Sequence, residues 1–103
     1  MSFERRTPAA WIIHPGEILE EEFLKPLKLS GYGLAKAIHV APQVINDIML
    51  QKRGISPENA LRLSRFFSTT PEFWMNLQNS YELGMARKVL KKKIGKIRPR
   101  SVA

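Results

Sequence analysis

The sequence has no cysteine among its 103 residues, and it has only two histidines. A disulfide framework and a thiolate metal site are therefore excluded. Neither His14 nor His39 has a second ligand four residues away, the spacing that a metal site on a helix needs. No apolar run approaches the roughly 18 residues of a membrane span, and the N-terminus lacks a signal-peptide core. We therefore expect a soluble, cytoplasmic protein that holds no metal ion and no other cofactor.

The residue patterns that enzymes use are also missing. The sequence has no nucleophile–base pair and no glycine-rich loop that would cradle a phosphate. The glutamates Glu20, Glu21 and Glu22 lack a neighbouring histidine or a second acidic cluster, which favours a solvated helix face over acid catalysis. We therefore predict that the chain is not an enzyme and has no catalytic residue.

Acidic residues are absent after Glu82, and this absence divides the charge of the chain. Residues 1–86 carry nine basic residues and all nine acidic ones, so their formal charge is zero. The whole excess of +8 comes from Arg87, Lys88, Lys91, Lys92, Lys93, Lys96, Arg98 and Arg100. Such a segment favours a polyanion or an acidic surface as its partner, but it does not by itself specify DNA.

Apolar residues recur at helical spacing in five segments, and no segment alternates as a strand would. Three helix starts follow the same rule, with a polar residue before a proline: residues 14–15, 56–57 and 70–71. Pro26 limits the regular part of the first helix. Because the apolar residues run out after Leu90, we expect a flexible basic tail there. The predicted organisation is an N-terminal arm, 1–13, a helix-turn-helix and dimerisation domain, 14–90, and a basic tail, 91–103.

The stretch 29–53 predicts two short helices joined by a tight turn. Leu34, Ala35 and Ile38 form one apolar face, and Ser30 stands at the N-cap position before them. Val44, Ile45, Ile48 and Met49 form a second apolar face after the turn. The opposite side of this second helix carries Gln43, Asn46, Asp47 and Gln51, followed by Lys52 and Arg53. This layout is typical of a helix-turn-helix whose second helix enters the major groove, although an αα-hairpin in a small bundle has the same periodicity.

Large apolar residues outside this motif suggest protein contacts. The arm residues Phe3, Trp11, Ile12 and Ile13 either fold back over the helices or form a patch for a partner. Near the last two helices, a small bundle cannot easily hide all the aromatic and apolar surface. We therefore predict a homodimer with an interface formed by Phe66, Phe67, Phe73, Trp74 and Leu77.

Four segments resemble one family: HPGEILEEEFLKPLKLS at 14–30, LAKAIHVAPQVINDI at 34–48, KRGISPENALRLSRFF at 52–67 and TTPEFWMNLQNSYEL at 69–83. In this order and spacing the chain resembles the HigA-type antitoxins, also called VapI-like, of the Xre helix-turn-helix class. The resemblance implies an all-α, five-helix Xre/lambda-repressor-like bundle that forms a homodimer. It also implies repression of the protein's own operon through a palindromic operator in double-stranded DNA. A HigB-type, mRNA-cleaving toxin is the implied protein partner, which the antitoxin would neutralise.

The resemblance also implies which residues face DNA. These are Ser30, Ala41, Pro42, Gln43, Val44, Asn46, Asp47, Lys52 and Arg53. Gln43 could pair bidentately with adenine, while Lys52 and Arg53 would contact phosphates.

Three positions depart from the family pattern. His39 replaces the glycine commonly found where the first helix of the motif ends, and Leu50-Gln51 replaces the usual Asn-Gly after the second. Asp47 stands where a neutral or basic side chain is more common, and it would repel phosphate unless it accepts from a cytosine amino group.

Three functions are consistent with these patterns. The first is a DNA-binding antitoxin that represses its own operon, and the second is a free-standing Xre-family repressor without a toxin. The third is an interaction module that uses its basic tail on RNA or acidic proteins. We favour the first because of the resemblance over residues 14–83.

Overall fold

A computed structural model of the chain describes residues 12–101. The described residues form five helices and no strand, as the sequence predicted. They are α1 (15–27), α2 (Gly31–Ala37), α3 (Pro42–Met49), α4 (Pro57–Phe67) and α5 (Pro71–Gly95). The predicted roles of Phe3 and Trp11 in the N-terminal arm lie outside the described residues.

The first helix is irregular in the middle. Pro15–Ile18 and Lys25–Leu27 are α-helical, while Leu19–Leu24 between them is a π-helical segment. Pro26 has no N–H to donate, and its ring would meet the carbonyl four residues earlier in a regular helix. The backbone N–H of Lys25 instead donates to Glu20, five residues earlier. The wider π turn, a common local irregularity within helices, lies directly before this proline, and the helix ends soon after it, at Leu27.

The starts of α1, α4 and α5 follow the predicted pattern of a polar cap and a proline, while α2 has the cap without a proline and α3 the proline without a polar cap. Side-chain oxygens of Ser30, Ser56 and Thr70 accept from backbone N–H groups three residues later, at 2.9, 3.2 and 3.1 Å. His14 caps α1 in the same way, since its Nδ1 accepts from the N–H of Gly16 at 2.9 Å. These contacts satisfy N–H groups that a helix start leaves without partners.

A single core joins all five helices. It contains Leu19, Leu24, Leu34, Ala35, Ile38, Ile45, Ile48, Ile55, Ala60, Leu63 and Trp74. Phe23 of α1 packs against Phe67 and Trp74 with ring centroids 4.8 and 4.9 Å apart. Such aromatic pairs add to the stabilisation from buried area. The aromatic cluster therefore fastens α1 to the pair of helices α4 and α5.

The last helix is longer than the sequence predicted. We expected a flexible tail from residue 91, but α5 continues to Gly95 and ends with Lys96 as its C-cap. The apolar supply does end near Leu90, but lysine and arginine are themselves good helix formers, so the helix does not need apolar contacts to continue. No helix among the described residues is long and apolar enough to cross a membrane.

Candidate nucleic-acid interface

Helices α2 and α3 form the predicted two-helix motif. Leu34 and Ala35 of α2 and Ile45 and Ile48 of α3 are fully buried, so both apolar faces pack into the core. Because the apolar face of α3 packs into the core, the opposite edge of this helix remains open to solvent. The segment that joins the two helices contains residues 38–41.

Both helices of the motif end through a residue in the left-handed conformation. His39 has a φ of 63° after α2, and Gln51 has a φ of 62° after α3. Each end is closed by a backbone bond across five residues, from Val40 N–H to the carbonyl of Ala35 at 3.0 Å and from Lys52 N–H to that of Asp47 at 2.8 Å. This is the bonding of a Schellman end. His39 and Gln51, at the two positions where the resemblance predicts glycine, thus take the conformation that glycine favours, at a cost of about 1–2 kcal/mol each.

An arginine from another helix holds the turn of the motif, a contact that no local sequence pattern predicts. Arg62 of α4 donates through Nη1 to the carbonyl of Ile38 at 2.8 Å and more weakly to that of His39 at 3.4 Å. Glu58 holds the same guanidinium at 3.1 Å. The Arg62 side chain therefore lies across the end of α2. The partners are 23 and 24 residues apart, so only the folded chain brings them together.

The predicted polar edge lies along α3. Gln43 and Asn46 are exposed, as are Ala41 and Pro42 at the start of the helix. Asp47 is half-buried between Gln43 and Arg53. Val44 is also half-buried and packs against the core, so only part of its side chain remains accessible. Ser30 is exposed at the start of α2.

Asp47 connects two of the polar side chains on this edge. Its Oδ1 accepts from Nε2 of Gln43 at 2.6 Å, and its Oδ2 accepts from Nη2 of Arg53 at 3.4 Å. A carboxylate can only accept hydrogen bonds, so the Gln43 amide must turn its nitrogen towards Asp47. The amide then keeps one N–H and its oxygen free, which are the donor and the acceptor that adenine needs in the major groove. Asp47 therefore presents Gln43 in one orientation and is itself partly neutralised by Arg53.

The loop after α3 brings Lys52 and Arg53 to the same end of the molecule. Both side chains are exposed. The loop is held from behind by α5, where Oε1 of the buried Gln78 accepts from the N–H of Ile55 at 2.7 Å. His14 is also at this end, near the backbone of Arg53. Burial of the His14 ring lowers its pKa below the ordinary value of 6.5, and the nearby backbone of Arg53, which favours the protonated ring, offsets this only partly.

A groove beside the polar edge is lined by Tyr32, which we did not predict from the sequence as a DNA-contacting residue. Gly31 and Tyr32 of α2 line it together with Gln43, Asn46 and two further residues of α3, and its volume is about 380 Å³. Tyr32 is 61% exposed, and Nζ of Lys36 lies 5.5 Å from the centre of its ring. The hydroxyl and the ammonium group are both suited to phosphate contacts. The sequence feature that could have identified Tyr32 and Lys36 is their position shortly after the Ser30 N-cap.

The predicted dimer residues separate into two groups. Trp74 is fully buried, with its Nε1 donating to Thr69 at 2.7 Å, so it has no surface to offer a partner and must be removed from the predicted interface. Phe67 and Leu77 are half-buried against the core. Phe66 and Phe73 remain 42% and 37% exposed.

No group of three or more histidine or acidic side chains within residues 12–101 is close enough together to hold a metal ion. A two-helix motif with a polar, solvent-facing edge on its second helix, carried by a five-helix bundle, defines a helix-turn-helix protein.

Comparisons with known proteins agree with this class. The Helix-turn-helix family model matches residues 21–74. "Virulence-associated protein I" of Dichelobacter nodosus is 54% identical over 74 residues, which is 72% of this chain and 68% of that protein. Antitoxin HigA-1 of Vibrio cholerae is 31% identical over 66% of this chain and 64% of its own length.

Solved structures match over more of the chain. PA4674 of Pseudomonas aeruginosa, in complex with its operator DNA, is 45% identical, with a TM-score of 0.84 over 87% of this chain and 96% of that one. Antitoxin GraA in complex with its operator is 45% identical, with a TM-score of 0.82 over 88% and 92%. The chain belongs to the Xre-type helix-turn-helix family. The predicted resemblance to HigA-type, VapI-like antitoxins is confirmed, and these relatives and neighbours are described as regulators, virulence-associated proteins and antitoxins rather than as enzymes.

Proposed function

We propose that the protein binds a palindromic operator through α3, represses its own operon, and neutralises a HigB-type, mRNA-cleaving toxin. The exposed edge of Gln43 and Asn46, with Gln43 oriented by Asp47, is the observation that carries the DNA-binding part. Neighbours above 40% identity that were solved with operator or promoter DNA support it. The proposed DNA surface contains Ser30, Ala41, Pro42, Gln43, Val44, Asn46, Asp47, Lys52 and Arg53, to which we add Tyr32 and Lys36.

The direct test of operator binding is nuclease footprinting on the DNA upstream of the protein's own gene. We expect a discrete protected region with two-fold symmetry and half-sites about 34–36 Å apart, one helical turn of DNA. A control duplex of the same length and composition but with scrambled sequence should show no discrete protected region. Uniform coating of both duplexes that disappears with salt would instead support the module that uses only its basic segment.

The two-fold footprint requires a homodimer, and the exposed aromatic residues give it a candidate surface. A shallow cavity of about 550 Å³ is lined in part by Leu61, Arg65 and Phe66. Phe73 packs edge-on against Trp74, with centroids 5.0 Å apart, and its free side is open. We propose that Phe66 and Phe73 contact the partner, with the half-buried Phe67 and Leu77 supporting them from within the protomer.

Replacing the two exposed rings tests this surface. Phe66→Ser with Phe73→Ser should lower the sedimentation coefficient of a dimer to that of a monomer at micromolar concentration. Circular dichroism should keep its helical signal, since neither ring belongs to the buried core. The matched control is Leu83→Ser, which removes an apolar side chain that is 53% exposed on α5. A wild-type protein that is monomeric at every concentration would exclude the dimer.

The toxin partner is the least constrained part of the proposal. The glutamates of α1 are the candidate surface for a cationic toxin, together with the N-terminal arm: Glu22 is exposed, and Glu21 forms an exposed ion pair with Lys25 at 2.7 Å. Co-expression with a small basic protein encoded beside this gene tests it. We expect the two to purify together, with Glu21→Lys and Glu22→Lys releasing the partner and the control Glu72→Lys on α5 retaining it.

A free-standing repressor is the second candidate function. The observation in its favour is the 44% identity to an uncharacterised helix-turn-helix transcriptional regulator of Haemophilus influenzae, over 66% of this chain. A free-standing repressor would give the same footprint as an antitoxin, but it would bind no toxin. The absence of a neighbouring gene for a small basic protein would decide for it.

A further inference from the structure

The end of α5 extends beyond the bundle. Gly84 is the last buried residue of the helix, and a Cβ there would lie 2.9 Å from Cγ1 of Ile12. From Met85 to Gly95 only Leu90 is even half-buried. At about 1.5 Å per residue, this part of the helix adds roughly 16 Å. The described residues accordingly span 53 Å in their longest dimension but only 28 and 26 Å in the others.

The extension, together with the residues that follow it up to Arg100, carries the entire charge excess of the protein. Residues 87–100 contain eight basic residues and no acidic residue. None of the three ion pairs found within the described part of the chain involves them. Basic residues in a last helical turn do favour the helix dipole. However, Arg87 and Lys88 lie two turns before the end of α5, where that effect has vanished, so the dipole does not explain them.

The extension begins about 10 Å along α5 from the contact between this helix and the loop that follows α3. Gln78 of α5 accepts a hydrogen bond from Ile55 at 2.7 Å and also packs closely on Gly54. The exposed pair Lys52 and Arg53 directly precedes that contact. The basic residues of α5 therefore begin about 14 Å further along the same helix, at 1.5 Å per residue.

The chemistry of the extension favours a duplex over single-stranded nucleic acid. No aromatic residue follows Tyr81, so the segment has no ring on which an unpaired base could stack, as single-strand recognition requires. Lysine and arginine side chains on an exposed helix can still bind the regularly spaced phosphates of a duplex. On a helix with 3.6 residues per turn, one side carries Lys88, Lys92 and Lys96, and Leu90 and Ile94 lie on the other.

We propose that residues 87–100 form a second DNA-contacting surface, which binds the backbone phosphates of duplex DNA outside the operator half-site. This inference rests on the proposed operator binding and adds a partner for the basic segment. The body of the protein is neutral and places Asp47 among its DNA-facing side chains, so α3 alone supplies little electrostatic attraction. The extension supplies it without reading sequence, since phosphate contacts position a protein but do not specify bases.

The test uses the full chain and two duplexes. One duplex is trimmed to the footprint, and the other adds about ten base pairs of unrelated sequence on each side. We expect the wild-type protein to bind the longer duplex more tightly and with a steeper salt dependence. The variant Lys91→Gln/Lys92→Gln/Lys96→Gln should lose this advantage, on the order of tenfold at 0.15 M salt, and its salt slope should fall by about 0.9 for each lost phosphate contact. Its affinity for the trimmed duplex should change little.

The control removes two exposed basic residues of the bundle, Lys25→Gln/Lys28→Gln, and should keep the preference for the longer duplex. Equal wild-type affinity for the two duplexes would overturn the inference, as would stronger competition by single-stranded RNA of the same length. A shift of the Lys91 variant to a smaller oligomer would also overturn it, because the segment would then serve dimerisation. The proposed function fails separately, if the wild-type protein gives no discrete footprint on the DNA upstream of its own gene.

Discussion

Asp47 controls how Gln43 meets its surroundings. The two side chains are four residues apart on α3, a spacing that brings side chains together on one helix face, and their hydrogen bond is 2.6 Å long. From the sequence, Asp47 was a source of repulsion against phosphate. In the fold it is half-buried, and Arg53 lies 3.4 Å from its other oxygen. Its main effect is therefore on the orientation of a neighbouring side chain.

Replacing Asp47 by asparagine separates orientation from charge. In Asp47→Asn the Gln43 amide can turn over, because the new side chain both donates and accepts. We expect discrimination between the operator and an operator altered at the Gln43 contact to narrow by about 1 kcal/mol. Binding to random duplex should strengthen slightly, because a negative charge is removed. Competition binding at fixed salt measures both, with Glu72→Gln as the control of equal charge change. If Asp47→Asn strengthens binding to operator and random DNA by the same factor, Asp47 contributes charge alone.

His14 connects the pH of the solution to the stability of this end of the molecule. It is 4% exposed, and burial lowers its pKa below 6.5. In the folded state the neutral ring accepts from Gly16 through Nδ1 and packs edge-on against Tyr81, with centroids 4.8 Å apart. Its contribution is complete above pH 6.5 and is lost as the pH falls towards the lowered pKa, because the unfolded chain takes up the proton first.

We therefore expect the wild-type protein to lose thermal stability as the pH falls below 6.5. His14→Asn keeps a capping side chain but does not titrate, so this loss should disappear even if the variant is less stable throughout. His39→Asn is the control, since it removes the other histidine, which is exposed. Melting temperatures measured by circular dichroism across this pH range check the prediction, and an unchanged pH slope in His14→Asn would contradict it.

At the scale of elements, the start of α1 is pressed against the end of α3. Gly16 is buried, and a Cβ on it would collide with the carbonyl oxygen of Ile48. A backbone carbonyl cannot move aside as a flexible side chain can. Glycine at this position therefore allows α1 to support the end of α3 that leads into Lys52 and Arg53.

Gly16→Ala should destabilise the protein by about 1–3 kcal/mol, the usual cost of forcing extra volume into a packed contact. Gly95→Ala is the matched control, because a Cβ there meets nothing within 4 Å, and helix propensity favours alanine. Chemical denaturation of both variants checks the prediction. Equal denaturation midpoints for Gly16→Ala and Gly95→Ala would contradict the prediction, because they would show that α1 can move away from α3 without loss of stability.

The element boundaries show which parts of the fold were accessible from sequence. Helix starts were predicted well, because a cap and a proline are local signals, as at Ser56 and Thr70. The ends of α2 and α3 were located only through the family resemblance, because His39 and Gln51 take the left-handed conformation without the glycine that usually signals it. The end of α5 was placed too early, because lysine-rich sequence keeps high helix propensity without apolar contacts.

On the scale of the whole molecule, a neutral helix-turn-helix body carries a separate basic extension. Periodicity alone predicted that Gln43 and Asn46 face outward, since the opposite side of α3 had to enter the core. It could not predict that Arg62 holds the turn or that the Trp74 ring is fully buried, because both depend on how distant elements pack. The residues that form the polar edge were therefore predictable from the sequence, while those that hold it in place were not.

The most direct measurement compares Gln43→Ala and Lys52→Ala on operator and random duplexes over a range of salt concentrations. Gln43→Ala should weaken operator binding by about 1–3 kcal/mol, relax the preference at one base pair and leave random binding unchanged. Lys52→Ala should weaken both duplexes alike and reduce the salt slope by about 0.9. If the two variants act alike on operator and random DNA, α3 does not read the major groove, and the assignment of the DNA interface is wrong.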